Sequence, residues 1–176
     1  MGTIKTTNIE PIADNGTVTL GSSGDQFTLA TGAKSSFLYP AFRAYGSTSQ
    51  AIPNNTFTKV EIDTETFDTD GNYDITNYRF TPQTAGKYFF TTTIRMTAIS
   101  AINNYQVFLY KNGSLNSRFA NGGTHAANPS NSVSDILTMN GSTDYVEVFV
   151  YQSYGSDRNI VNGTANTYFS GYRIGS

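Results

Sequence analysis

Cysteine and tryptophan are absent from this chain of 176 residues, histidine occurs once, and only 14% of positions carry charge. Each scarcity excludes a class of chemistry. Without cysteine there is no disulfide framework, no thiolate metal centre and no thiol nucleophile. One histidine without cysteine leaves zinc short of ligands. Any nucleophile–His–acid triad would have to use His125, which sits in NGGTHAANPSN, a stretch that reads as a long surface loop with no nucleophile placed beside it. The net charge of −2 gives no basic footprint for nucleic acid or an anionic membrane. No apolar run approaches the ~20 residues of a membrane helix, so membrane insertion is not expected. The start, MGTIKTTNIEP, lacks the apolar core of a secretory signal. Gly2 and Thr6 match the short N-myristoylation pattern, but no polybasic second anchor follows them. Helical periodicity is missing too: no window places apolar residues at i, i+3, i+4 and i+7.

What is present is an all-β vocabulary. Hydrophobic residues make up 38% of the chain, and the 14% that are aromatic are all Tyr or Phe. That apolar content, with so little charge, predicts a folded chain. Runs of β-branched and aromatic residues between turn clusters read as strands at 86–99, 105–113, 132–141, 144–152 and 166–174. In DYVEVFVYQ, Val146, Val148 and Val150 share one face while Tyr145, Glu147, Phe149 and Tyr151 share the other. Both faces are largely apolar, so one faces a core and the other a second layer or partner. Residues 1–36 differ in texture, being rich in Thr, Gly and Ser with Phe27 as their sole aromatic. They read either as a flexible arm or as a stalk that orders when copies wrap together, and the domain begins at 37 with FLYPAFRAY.

A spaced signature runs through the middle of the chain. Asp68 stands five residues before Tyr73, Tyr73 seven before Phe80, and Phe80 six before Gly86, which opens GKYFF with Tyr88 and Phe90. The run resembles the signature of the complement component 1q globular head, a branch of the tumour necrosis factor-like jelly rolls. Ile62 and Thr92 stand where that signature has aromatics. PAFRAY (40–45), YKNG (110–113), LTMNGSTDYVEV (137–148) and YFSGYRI (168–174) are similar to further pieces of the family in the same order, so the resemblance covers 37–176. It implies a jelly-roll β-sandwich of about ten strands, one sheet of which faces a three-fold axis in a homotrimer. The extra apolar face would then meet other copies of the chain.

Three groups of residues are candidates for function. Asp68, Asp70 and Asp74 in FDTDGNYD offer oxygen ligands for calcium, but Gly71 falls too early for an EF-hand loop, and the competing reading is a turn built on Asp70-Gly71. The loop YQSYGSDRNIVNG (151–163) combines ring faces, Tyr151 and Tyr154, with the hydrogen-bonding groups of Asp157, Arg158 and Asn159, a mixture suited to a sugar. The competing reading has its tyrosines packed on a neighbouring subunit. His125 joins these as a surface or inter-subunit contact. Paired carboxylates for glycoside hydrolysis, among Glu61, Asp63, Glu65, Asp68, Asp70 and Asp74, have nothing in the sequence to place them around a sugar. Sequons at Asn54, Asn112, Asn140 and Asn162 are expected by chance in so Asn-rich a chain.

The reading is therefore a non-enzymatic binding module without a cofactor, calcium apart. Its arm is similar to the Thr/Gly-rich leaders of phage fibre and capsid-decorating proteins. The expectation is a bacteriophage virion protein, attached to the particle by residues 1–36, whose trimeric head binds a host-surface glycan or protein. The alternatives are an extracellular complement- or cytokine-like ligand and a purely structural capsid decoration.

Overall fold

The computed structural model describes residues 40–97, 102–124 and 128–175. The expected arm, 1–36, and His125 lie outside the described residues. The chain divides into two units at Ser35/Ser36, and every described residue belongs to the second. Among those residues there is no helix. The strands are β1 (Ala41–Tyr45), β2 (Ala51–Ile52), β3 (Thr58–Lys59), β4 (Thr64–Asp68), β5 (Tyr73–Asp74), β6 (Arg79–Phe80) and β7 (Gly86–Arg95). They continue with β8 (Ile102–Lys111), β9 (Ser114–Thr124), β10 (Ser130–Met139), β11 (Val146–Gln152), β12 (Arg158–Asn159) and β13 (Thr167–Gly175). The excess over the ten or so expected comes from two-residue strands, β2, β3, β5, β6 and β12, too short to leave an alternating pattern in sequence.

Two antiparallel sheets form a jelly-roll sandwich. One has the order β10-β7-β13-β1-β4; the other has β5-β6-β11-β8-β9, with β3 also on β11. Alternation decides what lies between them. β7 buries Gly86, Tyr88, Phe90, Thr92 and Ile94 and turns the intervening side chains outward. β11 contributes Val146, Val148 and Val150 to the same core. Phe42 sits at the centre, stacked on Phe80 at 4.2 Å and Tyr73 at 5.2 Å, with Phe169 edge-on at 4.9 Å. Each such ring buried is worth roughly 1.5–3 kcal/mol, and each ring pair about 0.5–1.5 kcal/mol beyond area.

The two departures from the signature are both absorbed. Ile62 is buried at 1% exposure, and its carbonyl accepts the Tyr73 hydroxyl at 2.9 Å. Thr92 is fully buried, its hydroxyl donating to the Tyr168 carbonyl at 2.7 Å, so no polar group is left unpaired. Gly86 has φ +149°, and a Cβ there would lie 2.3 Å from the Gly175 carbonyl oxygen, a close approach of backbones that only glycine allows. Asn112 and Gly113 both have positive φ, the geometry of a two-residue hairpin turn between β8 and β9.

One expectation is corrected. SLNSRFANGGT, whose end was read as the start of a long loop around His125, forms strand β9 through Thr124, paired along its length with β8. Its own pattern is too polar to announce a strand. The tight Asn-Gly turn brings it back onto β8, and the ladder does the rest.

Candidate functional site

The outer face of the five-stranded sheet divides in two. Register aligns Ile136 of β10 with Phe89 of β7, Phe89 with Tyr172 of β13, and Tyr172 with Ala41 of β1, an apolar row across the sheet. Ile136 is 54% exposed, Tyr172 42% and nearby Phe67 48%. Between Phe67, Phe89 and Tyr172 lies a depression of about 400 Å³ with almost wholly apolar walls. The other half of the face is hydroxylic. Thr93 donates to Tyr168 and bonds Ser132, Ser134 donates to Thr91, and the Arg43 guanidinium lies 4.1 Å above the Tyr168 ring. Exposed apolar patches bordered by polar side chains are characteristic of protein contacts.

The residues predicted for recognition do not gather as one patch. Tyr154 is corrected: it is 6% exposed and belongs to the core, with burial pushing its hydroxyl's pKa up, so it offers no face to a ligand. What turns it inward is Gln152, fully buried, whose Oε1 accepts the Tyr154 N–H and whose Nε2 donates to the Ile52 and Ser156 carbonyls. Tyr151 stays on the outside, its hydroxyl on Asn55 and its ring 4.9 Å from Phe57. Asp157 is exposed and accepts the Asn54 N–H. Asn159 is exposed, while Arg158 is half-buried in the short ladder with β2. Tyr151 and Asp157 therefore share a rim with Asn54, Asn55 and Phe57, residues that sequence reasoning missed because they arrive from the other end of the domain.

FDTDGNYD is a turn that is held by its own side chains. Asp68 accepts the Tyr73 N–H at 2.6 Å and the Asp70 N–H at 3.3 Å, and Gly71 takes φ +66°. Asp74 accepts the N–H groups of Thr76 and Asn77 and the Asn77 side-chain amide. That side-chain amide, before the backbone bonds, holds the Asp74 carboxyl below its ordinary pKa. Among the described residues no three His, Cys, Asp or Glu side chains converge on a metal position. The sequon asparagines are likewise turn residues: side chains of Asn54, Asn112, Asn140 and Asn162 all bond within or between loops.

The strand order, two sheets closing over an aromatic core, defines a tumour necrosis factor-like jelly roll. The profile of the C1q domain matches residues 41–174, and the chain belongs to that family. Solved structures agree on the fold. The globular domain of zebrafish complement 1qA protein superposes with a TM-score of 0.58 at 17% identity, over 77% of this chain and 96% of that one. Murine APRIL gives 0.58 at 9% identity, over 76% and 98%, and Eiger TNF from S. frugiperda gives 0.53 at 10%, over 78% and 93%. No curated protein matches the chain.

Proposed function

We propose that this domain is a self-associating, non-enzymatic binding head, and that it works as the trimeric adhesion module of a bacteriophage virion protein. The observation that carries self-association is the apolar row Ile136–Phe89–Tyr172–Ala41 beside Phe67. Burying it between copies removes exposed apolar surface that a monomer would leave in water. In this reading residues 1–36 attach to the particle, and the rim of Tyr151, Phe57 and Asp157 meets a host-surface glycan or protein. Phage origin is supported by the Thr/Gly-rich texture of those first residues and by a cysteine-free, hydroxyl-rich chain. The second reading, an extracellular complement- or cytokine-like ligand, is favoured by the structural relatives, which include a complement component and tumour necrosis factor-like proteins. Pure capsid decoration shares the self-associating face and needs no receptor.

Size-exclusion chromatography with light scattering is expected to give a single trimeric species; a stable monomer at micromolar concentration would overturn self-association. Adjacent genes for capsid and tail proteins are expected, and a eukaryotic gene with introns would sink the virion reading. Binding of the labelled protein to whole cells separates adhesion from decoration: full occupancy on particles with no cell binding means decoration.

A further inference from the structure

The outer face of the six-stranded sheet is the one that self-association through the five-stranded sheet leaves turned away from the other copies. A shallow, open polar cavity of about 420 Å³ lies at its β5–β6 edge, lined by Asp70, Asn72, Asp74, Arg79, Thr81 and Gln83 among others. Two of its lining residues carry donors without partners, both sealed beneath its surface. Asn72 is only 7% exposed and its Nδ2 has no hydrogen bond, and the buried Nε of Arg79 has none either. Buried donors left unpaired in this way are uncommon and costly. On the acceptor side, the carboxylate of Asp70 is exposed and makes no hydrogen bond or ion pair among the described residues.

Charge narrows the ligand. An anion would meet Asp70 and Asp74 together. A bare cation would meet Arg79, and would find the Asp74 carboxylate already taken by Thr76 and Asn77. A neutral group carrying closely spaced donors and acceptors pairs with Asp70 without charge conflict, and with Asn72 and Arg79 once those side chains turn toward it. Beyond the cavity, register carries the same face across the sheet: Asp74 pairs with Arg79, Arg79 with Glu147, Glu147 with Tyr110 and Tyr110 with Leu115. The Arg79 guanidinium lies 4.7 Å above the Tyr145 ring, and Tyr110 stacks on Phe149 at 4.3 Å. Flat rings beside a cluster of fixed donors and acceptors suit a ring whose faces are C–H and whose edges are hydroxyl.

We infer that the β5–β6 cavity is a saccharide subsite, taking a neutral pyranose of a surface polysaccharide whose chain continues over Tyr145, Tyr110 and Phe149. It rests on the reading of the domain as a surface-binding head, and moves the sugar contact away from the 151–163 loop.

The test is NMR on the full chain, titrated with methyl glycosides of glucose, galactose, mannose, rhamnose and N-acetylglucosamine at up to tens of millimolar. The expected result is a shift of the Asn72 side-chain amide and of Arg79 Nε–H by at least one of them. Arg79→Lys, which keeps the charge and loses the Nε donor, and Asp70→Asn, an exposed change, are each expected to weaken that binding about ten-fold, the equivalent of ~1.4 kcal/mol. No shift with any glycoside overturns the subsite, as do shifts confined to the 151–163 rim or affinities untouched by both variants. Whole-cell binding distinguishes the two proposals: cell binding without cavity shifts removes the subsite and keeps the head, while cavity shifts in a protein that binds no cells do the reverse.

Discussion

Gly171→Ala is expected to destabilise the domain by crowding the aromatic core and the neighbouring strand, not by straining its own φ. Gly171 lies on β13 opposite both Phe42 and Phe90 and faces inward. A methyl group added there would stand 2.6 Å from Cδ1 of Phe90, 2.9 Å from the Phe89 carbonyl oxygen and 3.0 Å from Cε1 of Phe42. Carbon atoms pack at about 3.5–4.0 Å, so two rings that already interlock with Phe80 and Phe169 would have to retreat. Overpacking of this kind costs typically ~1–3 kcal/mol, and three simultaneous contacts place Gly171→Ala in the upper half of that range. For a domain of this size each kcal/mol moves the melting temperature by about 3–5 °C, giving a fall of roughly 6–15 °C. The assay is calorimetry or urea unfolding at fixed protomer concentration, because the proposed self-association would make the midpoint concentration-dependent. Phe90→Leu, itself destabilising, shortens the nearest ring and makes room for the methyl group. The double variant should therefore recover about 1 kcal/mol relative to the sum of the singles. Gly171→Ala melting within about 0.5 kcal/mol of the parent, or strict additivity with Phe90→Leu, would refute the reasoning.

Gln152→Ala strips three hydrogen bonds from a fully buried position. We expect a loss of about 3 kcal/mol, with hydrogen exchange rising first at residues 153–156 as Tyr154 is released. Thr92→Val keeps the shape but removes the hydroxyl bond to the Tyr168 carbonyl, and urea unfolding should show a loss of about 1 kcal/mol. Phe89→Asp with Tyr172→Asp places carboxylates in the apolar row, and light scattering should then report a folded monomer. Acid titration follows Asp144, whose carboxyl is held below its ordinary value of 3.8 by the Asn112 amide first and the Lys111 ammonium second. A carboxylate depressed in the folded state adds stability above its unfolded value and loses it as pH falls through the folded one. Asp144→Asn should therefore flatten the decline in urea midpoint below about pH 4.

Fold legibility followed the size and spacing of the side chains. Tyr73, Phe80, Tyr88 and Phe90, the aromatics of the signature that the sequence resembles, all lie in the core, where large rings have few other places to go. β11 sends Val146, Val148 and Val150 into the core and leaves Phe149 and Tyr151 half-buried on its other face, where Glu147 is buried against Lys59. β9 was not legible, because an edge strand that borrows its order from a hairpin partner carries little apolar pattern of its own. Tyr154 misled for a related reason. A tyrosine in a Gly/Ser-rich loop looks exposed, and only the buried amide of Gln152, two residues earlier but tied to Ile52 across the domain, turns it inward.

The sequence by itself determined the class of the protein: a cysteine-free all-β domain with the spaced aromatics of a C1q-type jelly roll and a polar turn at Asp68–Asp74. Those features are local, set by period, spacing and turn chemistry. Which surfaces remain for partners was decided by tertiary structure alone. The row Ile136–Phe89–Tyr172–Ala41 draws its members from four strands, and the cavity beside Arg79 joins a turn, β5 and β6 and carries on across β11 and β8. Such neighbours meet only when antiparallel register aligns segments distant in the chain, and register is a property of the assembled sheet.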